Sequence, residues 1–175
     1  IWDALRYASG GQMQHLQRFV LSEGDRYQQL ELASADLVPR SAPDAIDDGL
    51  DGWAFMMRTA DRSLALLYFE RKAVAPRVGG LTPGARYRWS WFDPRAGVWT
   101  AAKGLPTGSD GVLTAPPFPD GGARSAQDWA ARLTRLVVPH MQRGAAILHI
   151  SSIWGREAGG TVTYNAMKAA LISHA

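Results

Sequence analysis

Apolar side chains recur along this chain with more than one period. Between residues 12 and 21, QMQHLQRFVL, the side chains of Met13, Leu16, Phe19 and Val20 fall on one side of a 3.6-residue repeat, with Gln14, Gln17 and Arg18 largely opposite. The pattern predicts an amphipathic helix, entered after Gly10-Gly11 and weakened beyond Leu21 by Ser22 and Gly24. No neighbouring helix is at hand to cover its apolar face, so it belongs against something larger or against the domain downstream. From Glu31 to Asp51 the period fades while Pro39, Pro43, Asp44, Asp47, Asp48 and Gly49 accumulate, which reads as linker and surface loop with a short extended stretch at Leu37 and Val38.

The period then shortens to two. Residues 53–59 (WAFMMRT) and 63–70 (SLALLYFE) are short apolar runs on either side of a polar break, Ala60-Asp61-Arg62, and predict a β-hairpin. Val74 to Val78 suggests a third strand, placed at an edge because Pro76 has no N–H to give to a ladder. The clearest alternation follows: Tyr87, Trp89 and Trp91 on one face, Arg88, Ser90 and Phe92 on the other. Asp93-Pro94-Arg95-Ala96-Gly97 supplies turn chemistry before Val98-Trp99-Thr100, and Gly111 to Ala115 offers one further strand. Five short strands with turn signals roughly every ten residues argue for a sandwich or Greek-key sheet. Successive runs leave no room for crossover helices.

After Gly121 the pattern changes again. Residues 127–142 (QDWAARLTRLVVPHMQ) carry helix-compatible apolar positions at Trp129, Leu133, Leu136, Val137 and Met141, residues 145–151 (AAILHIS) read as a buried strand, and residues 164–175 have high helix propensity. The fold class expected is therefore mainly β: a small antiparallel β-sandwich with an N-terminal helix and a C-terminal α/β fragment. The corresponding divisions are 1–30, 31–52, 53–124 and 125–175.

Composition narrows the chemistry. With no cysteine among 175 residues there is no disulfide framework, thiolate metal site or cysteine nucleophile. A net charge of +3 with scattered arginines gives no nucleic-acid stripe. No run approaches the roughly eighteen apolar residues of a membrane span, and IWDALRYASGG lacks the parts of a signal peptide, so a soluble chain of unspecified compartment is expected. His15, His140, His149 and His174 are dispersed, and Asp44, Asp47, Asp48 and Asp51 lack the spacing of a calcium loop, so no metal is expected.

Two resemblances add to this reading. The helix MQHLQRF, the segments DGLDGWAF and LALLYFE, and above all YRWSWFDPRAGVW at 87–99 resemble the C-terminal part of bacterial glycoside hydrolases in which a (β/α)8 barrel precedes a β-sandwich carrying a collagen-binding label. The resemblance implies that residues 1–30 hold the terminal helix of a missing barrel. It also implies that the paired catalytic acids lie upstream, and that the partner is that barrel or a carbohydrate surface. Separately, RLTRLVVPHMQRG, ILHISSIWG and TYNAMKAA resemble the short-chain dehydrogenase/reductase family. There the corresponding catalytic residues would be Ser152, Tyr164 and Lys168, with Tyr164 and Lys168 also beside an NAD(P) cofactor. A tyrosine can exchange its proton with an alcohol or carbonyl while a lysine one helical turn on lowers its pKa. Against activity, no GxGxxG precedes this segment, and the asparagine position of the family's proton relay falls near Ala126.

The leading expectation is a noncatalytic accessory β domain derived from a carbohydrate-active enzyme, needing no cofactor. Trp89, Trp91 and Trp99 are its candidate carbohydrate contacts; because Trp89 and Trp91 share a face, packing in the core or against the missing barrel is the preferred role for them. The alternative is an NAD(P)-dependent oxidoreductase fragment. The segment at 125–133 resembles both the closing strand of the sandwich and the dehydrogenase helix, which places a junction of two coding fragments there.

Overall fold

The computed structural model describes residues 8–45 and 51–136. It is mainly β, with two antiparallel sheets and one N-terminal α-helix. Helix α1 runs over Ala8–Val20 and continues into 3₁₀ turns over Leu21–Gln29, where Gly24 at φ 61° lets the chain change direction. The strands are β1 Leu30–Leu32, β2 Leu37–Val38, β3 Ala54–Thr59, β4 Leu64–Phe69, β5 Arg77–Val78, β6 Arg86–Asp93, β7 Val98–Trp99, β8 Lys103–Pro106, β9 Leu113–Thr114 and β10 Trp129–Leu136. The large sheet is ordered β1-β3-β4-β10-β6-β7, with β8 also paired to β6; the small sheet is β2-β5-β9. Among the described residues no helix is long and apolar enough to cross a membrane.

Three expectations need correction. Residues 31–52 are more than linker and surface loop: β1 pairs with β3, and the extended stretch expected at Leu37 and Val38 is β2, paired with β5, so each sheet takes a strand from here. Strand β5 is the middle strand of the small sheet, not an edge; Pro76 stands just before it and uses only its carbonyl, which accepts from Ala115 N at 3.0 Å. The segment expected to be helical from Gln127 is a strand from Trp129 to Leu136, and it extends the sandwich past residue 124. The strand, loop and helix expected from residue 145 onward lie outside the described residues.

The structure follows the closing-strand resemblance of residues 125–133 and not the helical periodicity, which misleads because both faces of β10 are buried. Trp129, Ala131 and Leu133 point into the core between the sheets, while Ala130 packs beneath α1 with Phe19, Leu64, Leu66 and Phe92. An apolar residue on each face hides the alternation, and the large apolar side chains left visible also fit a helical repeat. Strand β10 lies between β4 and β6, with Leu133 opposite Ala65 on one side and Trp89 on the other.

The inner core unites the two sheets. Met56, Leu67, Phe69, Tyr87, Trp89, Trp91 and Leu133 from the large sheet meet Leu37, Val78 and Leu113 from the small one, with Leu81 and Phe118 closing the ends. Tyr87 is fully buried and its hydroxyl is satisfied, donating to Arg62 O at 2.6 Å and accepting from Thr82 N at 3.0 Å. Leu133 has no exposed surface, so Leu133→Ala is expected to cost about 3 kcal/mol and lower the urea midpoint. An unchanged midpoint would mean that β10 does not sit inside the sheet.

The β3–β4 hairpin is closed by Asp61. Its Oδ1 accepts from Thr59 Oγ1 at 2.6 Å, Ser63 N at 3.0 Å and Ser63 Oγ at 2.7 Å, while Arg62 takes up φ 59°. The hydrogen bonds from Ser63, then Thr59, hold the Asp61 carboxyl well below the usual carboxylate range. A folded-state pKa below the unfolded one means the stabilisation is complete above about pH 4 and is lost as the pH falls further. The thermal midpoint should therefore drop on the acid side. Asp61→Asn should flatten that drop by an amount worth about 1 kcal/mol or less, since the group is exposed; identical acid profiles for the two proteins would refute it.

Candidate functional site

Of the three tryptophans singled out as carbohydrate contacts, the structure places two in the core. Trp89 is 1% and Trp91 6% exposed. Their rings meet edge to face, 5.0 Å apart at 67°, and Trp91 lies 5.2 Å from Phe69 and 5.1 Å from Phe118. Little of either ring reaches solvent, although their edges line a cleft of about 230 Å³ with Thr100, Lys103 and Pro119. They share the inner face of β6, as the alternation predicts, and that face is the one the small sheet covers.

Trp99 differs. It sits at the edge of the large sheet, half-buried on the outer face. Phe19 of α1 stacks against it at 5.7 Å and 27°, Phe92 lies 4.8 Å away, and the Arg132 guanidinium carbon is 4.5 Å from its ring centroid.

The segment from Trp91 to Trp99 works as a clasp, and each of its distinctive residues has a task. Trp91 enters the core and Phe92 packs under α1. Asp93 Oδ1 accepts from Arg95 N at 2.8 Å and Ala96 N at 3.2 Å, fixing the turn. Pro94 exposes its carbonyl to the His15 Nδ1–H at 3.0 Å, and the Gly97 carbonyl accepts from Arg18 at 2.8 Å. Arg95 lies over Trp129, 5.0 Å from its centroid, and donates to Asp128 O at 2.5 Å. Gly97 has φ 67°, and a Cβ there would run into the His15 ring.

Two clefts flank this clasp, and a third lies farther along α1. Beside Trp99 an open cleft of about 650 Å³ is lined by Gln14, Gln17, Arg18, Ser22 and Arg132. Arg132 is held from behind by Glu23 Oε1 at 3.0 Å and Ser22 O at 3.1 Å. Across the helix a second cleft of about 390 Å³ runs between Gln12, Tyr68, Arg71 and Asp128. There the Tyr68 hydroxyl donates to Asp128 Oδ2 at 2.6 Å, and partial burial, reinforced by that carboxylate, pushes the Tyr68 phenol up. A third, largely apolar groove of about 390 Å³ shares Leu16, Phe19 and Tyr68 with the second and extends to Met57 and Leu30.

Sequence reasoning found Trp99 but missed Arg132, Glu23 and Asp128. Arg132 falls in a segment whose periodicity fits a helix, and Glu23 and Asp128 carry no local pattern; β10 brings Arg132 to the Trp99 cleft, the 3₁₀ turns after α1 bring Glu23 to Arg132, and Asp128 lines the second cleft. Ser152, Tyr164 and Lys168 lie outside the described residues. In the acidic loop, Asp44 pairs with Arg124 at 2.7 Å and Asp51 with Lys72 at 2.5 Å, while Asp47 and Asp48 lie outside the described residues.

No protein-family model matches the chain, and no curated protein matches it in sequence. Solved structures do match its fold. One described as a "Glycoside hydrolase" superposes with a TM-score of 0.53 at 14% identity, over 76% of this chain and 26% of its own. A glycoside hydrolase family 5 crystal structure from Bacteroides vulgatus gives 0.55 at 15% identity, over 84% of this chain and 29% of its own. The chain thus shares its fold with just over a quarter of the length of these proteins.

The clasp makes a quantitative prediction. Gly97→Ala combines a positive φ with a collision against His15, and should cost about 2 kcal/mol in chemical denaturation. His15→Ala alone should cost about 1 kcal/mol. In the double variant the collision is relieved, so the two effects should sum to more than the double variant loses; strict additivity would show that the two residues do not meet.

Proposed function

We propose that this is a noncatalytic accessory β domain of a carbohydrate-active enzyme, packed in the whole protein against a (β/α)8 catalytic barrel. The observation that carries the reading is an apolar ridge left open among the described residues: Leu16 is 51%, Met57 41% and Tyr68 38% exposed around a groove whose walls are almost wholly apolar, and Met13, 64% exposed, stands one turn before Leu16 on α1. A contiguous surface of this kind marks a place where another protein surface sits. The fold likeness to part of two glycoside hydrolases supports the same reading, at 14% and 15% identity.

The isolated chain is expected to release no product from a panel of p-nitrophenyl glycosides, and to leave NADPH fluorescence and absorbance unchanged with or without a carbonyl substrate. Hydrolysis would overturn the noncatalytic assignment. Oxidation of NADPH that is lost in Tyr164→Phe would establish the oxidoreductase alternative instead. Met13→Lys with Leu16→Lys should leave the thermal midpoint within about 2 °C, because exposed positions change stability by only about 0.5 kcal/mol. The same pair should lower binding of an apolar dye. A large loss of stability would mean that the ridge is core and not a docking face.

A further inference from the structure

We infer that the cleft beside Trp99 binds an acidic saccharide, one whose rings carry carboxylates. The inference rests on the carbohydrate-related reading above and names the ligand class of the site that reading leaves open. The cleft, about 650 Å³, presents two guanidinium groups, Arg18 and Arg132, and two amides, Gln14 and Gln17, along with the half-buried Trp99. Gln14 and Gln17 are three residues apart on α1, so they project from one face of the helix. Both are exposed, and neither amide has a hydrogen-bond partner among the described residues.

Charge sets the class of ligand. Glu23 pairs with Arg132 at 3.0 Å and is not among the residues that line the cleft. Arg18 donates to the neutral carbonyl of Gly97 and has no acidic partner among the described residues, so the cleft carries a net positive charge. A guanidinium so placed suits a carboxylate, to which it can give two parallel hydrogen bonds. The amides, each both donor and acceptor, suit the hydroxyls of the same rings. Ser22, on the same wall, has an Oγ shut from solvent with no hydrogen-bond partner. Leaving it unmatched costs free energy that a small shift toward a bound hydroxyl would recover. In the second cleft Arg71 and Arg95 are paired with Asp51 and Asp93, and the Asp128 carboxylate on its wall makes it the poorer site for an anion.

The arginines are also preorganised. Arg132 is clamped between Trp99 and the main chain at Ser22, and Arg18 is tied to the β6–β7 turn. Less side-chain freedom is lost on binding than for a free arginine.

The test is calorimetric titration of the full chain with trigalacturonate and, separately, with cellotriose. Trigalacturonate should bind at least tenfold more tightly, and its affinity should fall severalfold between 50 and 300 mM salt. Gln14→Ala with Gln17→Ala, substitutions that favour the helix, should weaken binding about tenfold with an unchanged thermal midpoint. Arg18→Gln should weaken it further and remove most of the salt dependence. Binding of cellotriose as tight as trigalacturonate, undiminished binding by the glutamine variants, or heat from neither saccharide would each overturn the inference. An absence of saccharide binding together with glycosidase silence and a dye-binding ridge would leave the accessory-domain reading standing.

Discussion

The ladder on either side of β10 is the constraint on which the large sheet depends. Strands β4 and β6 do not pair with each other; both pair with β10, through six and seven residue positions respectively. Remove that strand and the sheet divides into a β1-β3-β4 piece and a β6 piece with β7 and β8. The main-chain donors and acceptors of β4 and β6 would then face each other across a gap of one strand, at a cost no side-chain contact offsets. The same strand supplies Ala131 and Leu133 to the inner core, Ala130 to the floor beneath α1, and Arg132 to the Trp99 cleft. Core, helix docking and candidate site thus share one element contributed late in the described chain.

This arrangement explains what the sequence made legible. Strand β6 could be read residue by residue, because one face is aromatic and the other mixed. The β3–β4 and β6–β7 hairpins announced themselves through Asp61-Arg62 and Asp93 to Gly97. The burial of Trp89 and Trp91 was one of two readings the alternation allowed, and only the small sheet decides between them. Strand β2 coincides with the extended stretch expected at Leu37 and Val38, whereas β1, three residues long and ending where a run rich in Pro and Asp begins, gives no pattern to read. Burial on both faces hid β10 from the periodicity, and only the resemblance of residues 125–133 to the closing strand of a sandwich pointed to it. The Trp99 cleft could not have been assembled from sequence, since Arg132 and Ser22 stand 110 residues apart and meet through a single hydrogen bond.

The two faces of the large sheet have divided the work. Its inner face is a closed aromatic core that meets the small sheet, while its outer face carries α1, the three clefts and the uncovered ridge. Function, in this reading, belongs to the outer face. The polar cleft lies on one side of α1 and the apolar groove on the other, so that a saccharide and a partner domain could be held at once without competing for the same residues, apart from the helix that separates them.

The clasp between α1 and the β6–β7 turn has an unexpected distribution of constraint. His15 and Arg18 both bind main-chain oxygens, at Pro94 and Gly97, so the helix reads the path of the turn and not its side chains. Among the described residues the side chains of Arg95 and Ala96 make no hydrogen bond to the helix; Arg95 turns to Asp93, Asp128 and Trp129. The position least open to exchange is the one with no side chain to contribute, because what α1 requires there is an unfilled volume. In this hairpin the most specific recognition is of an absence.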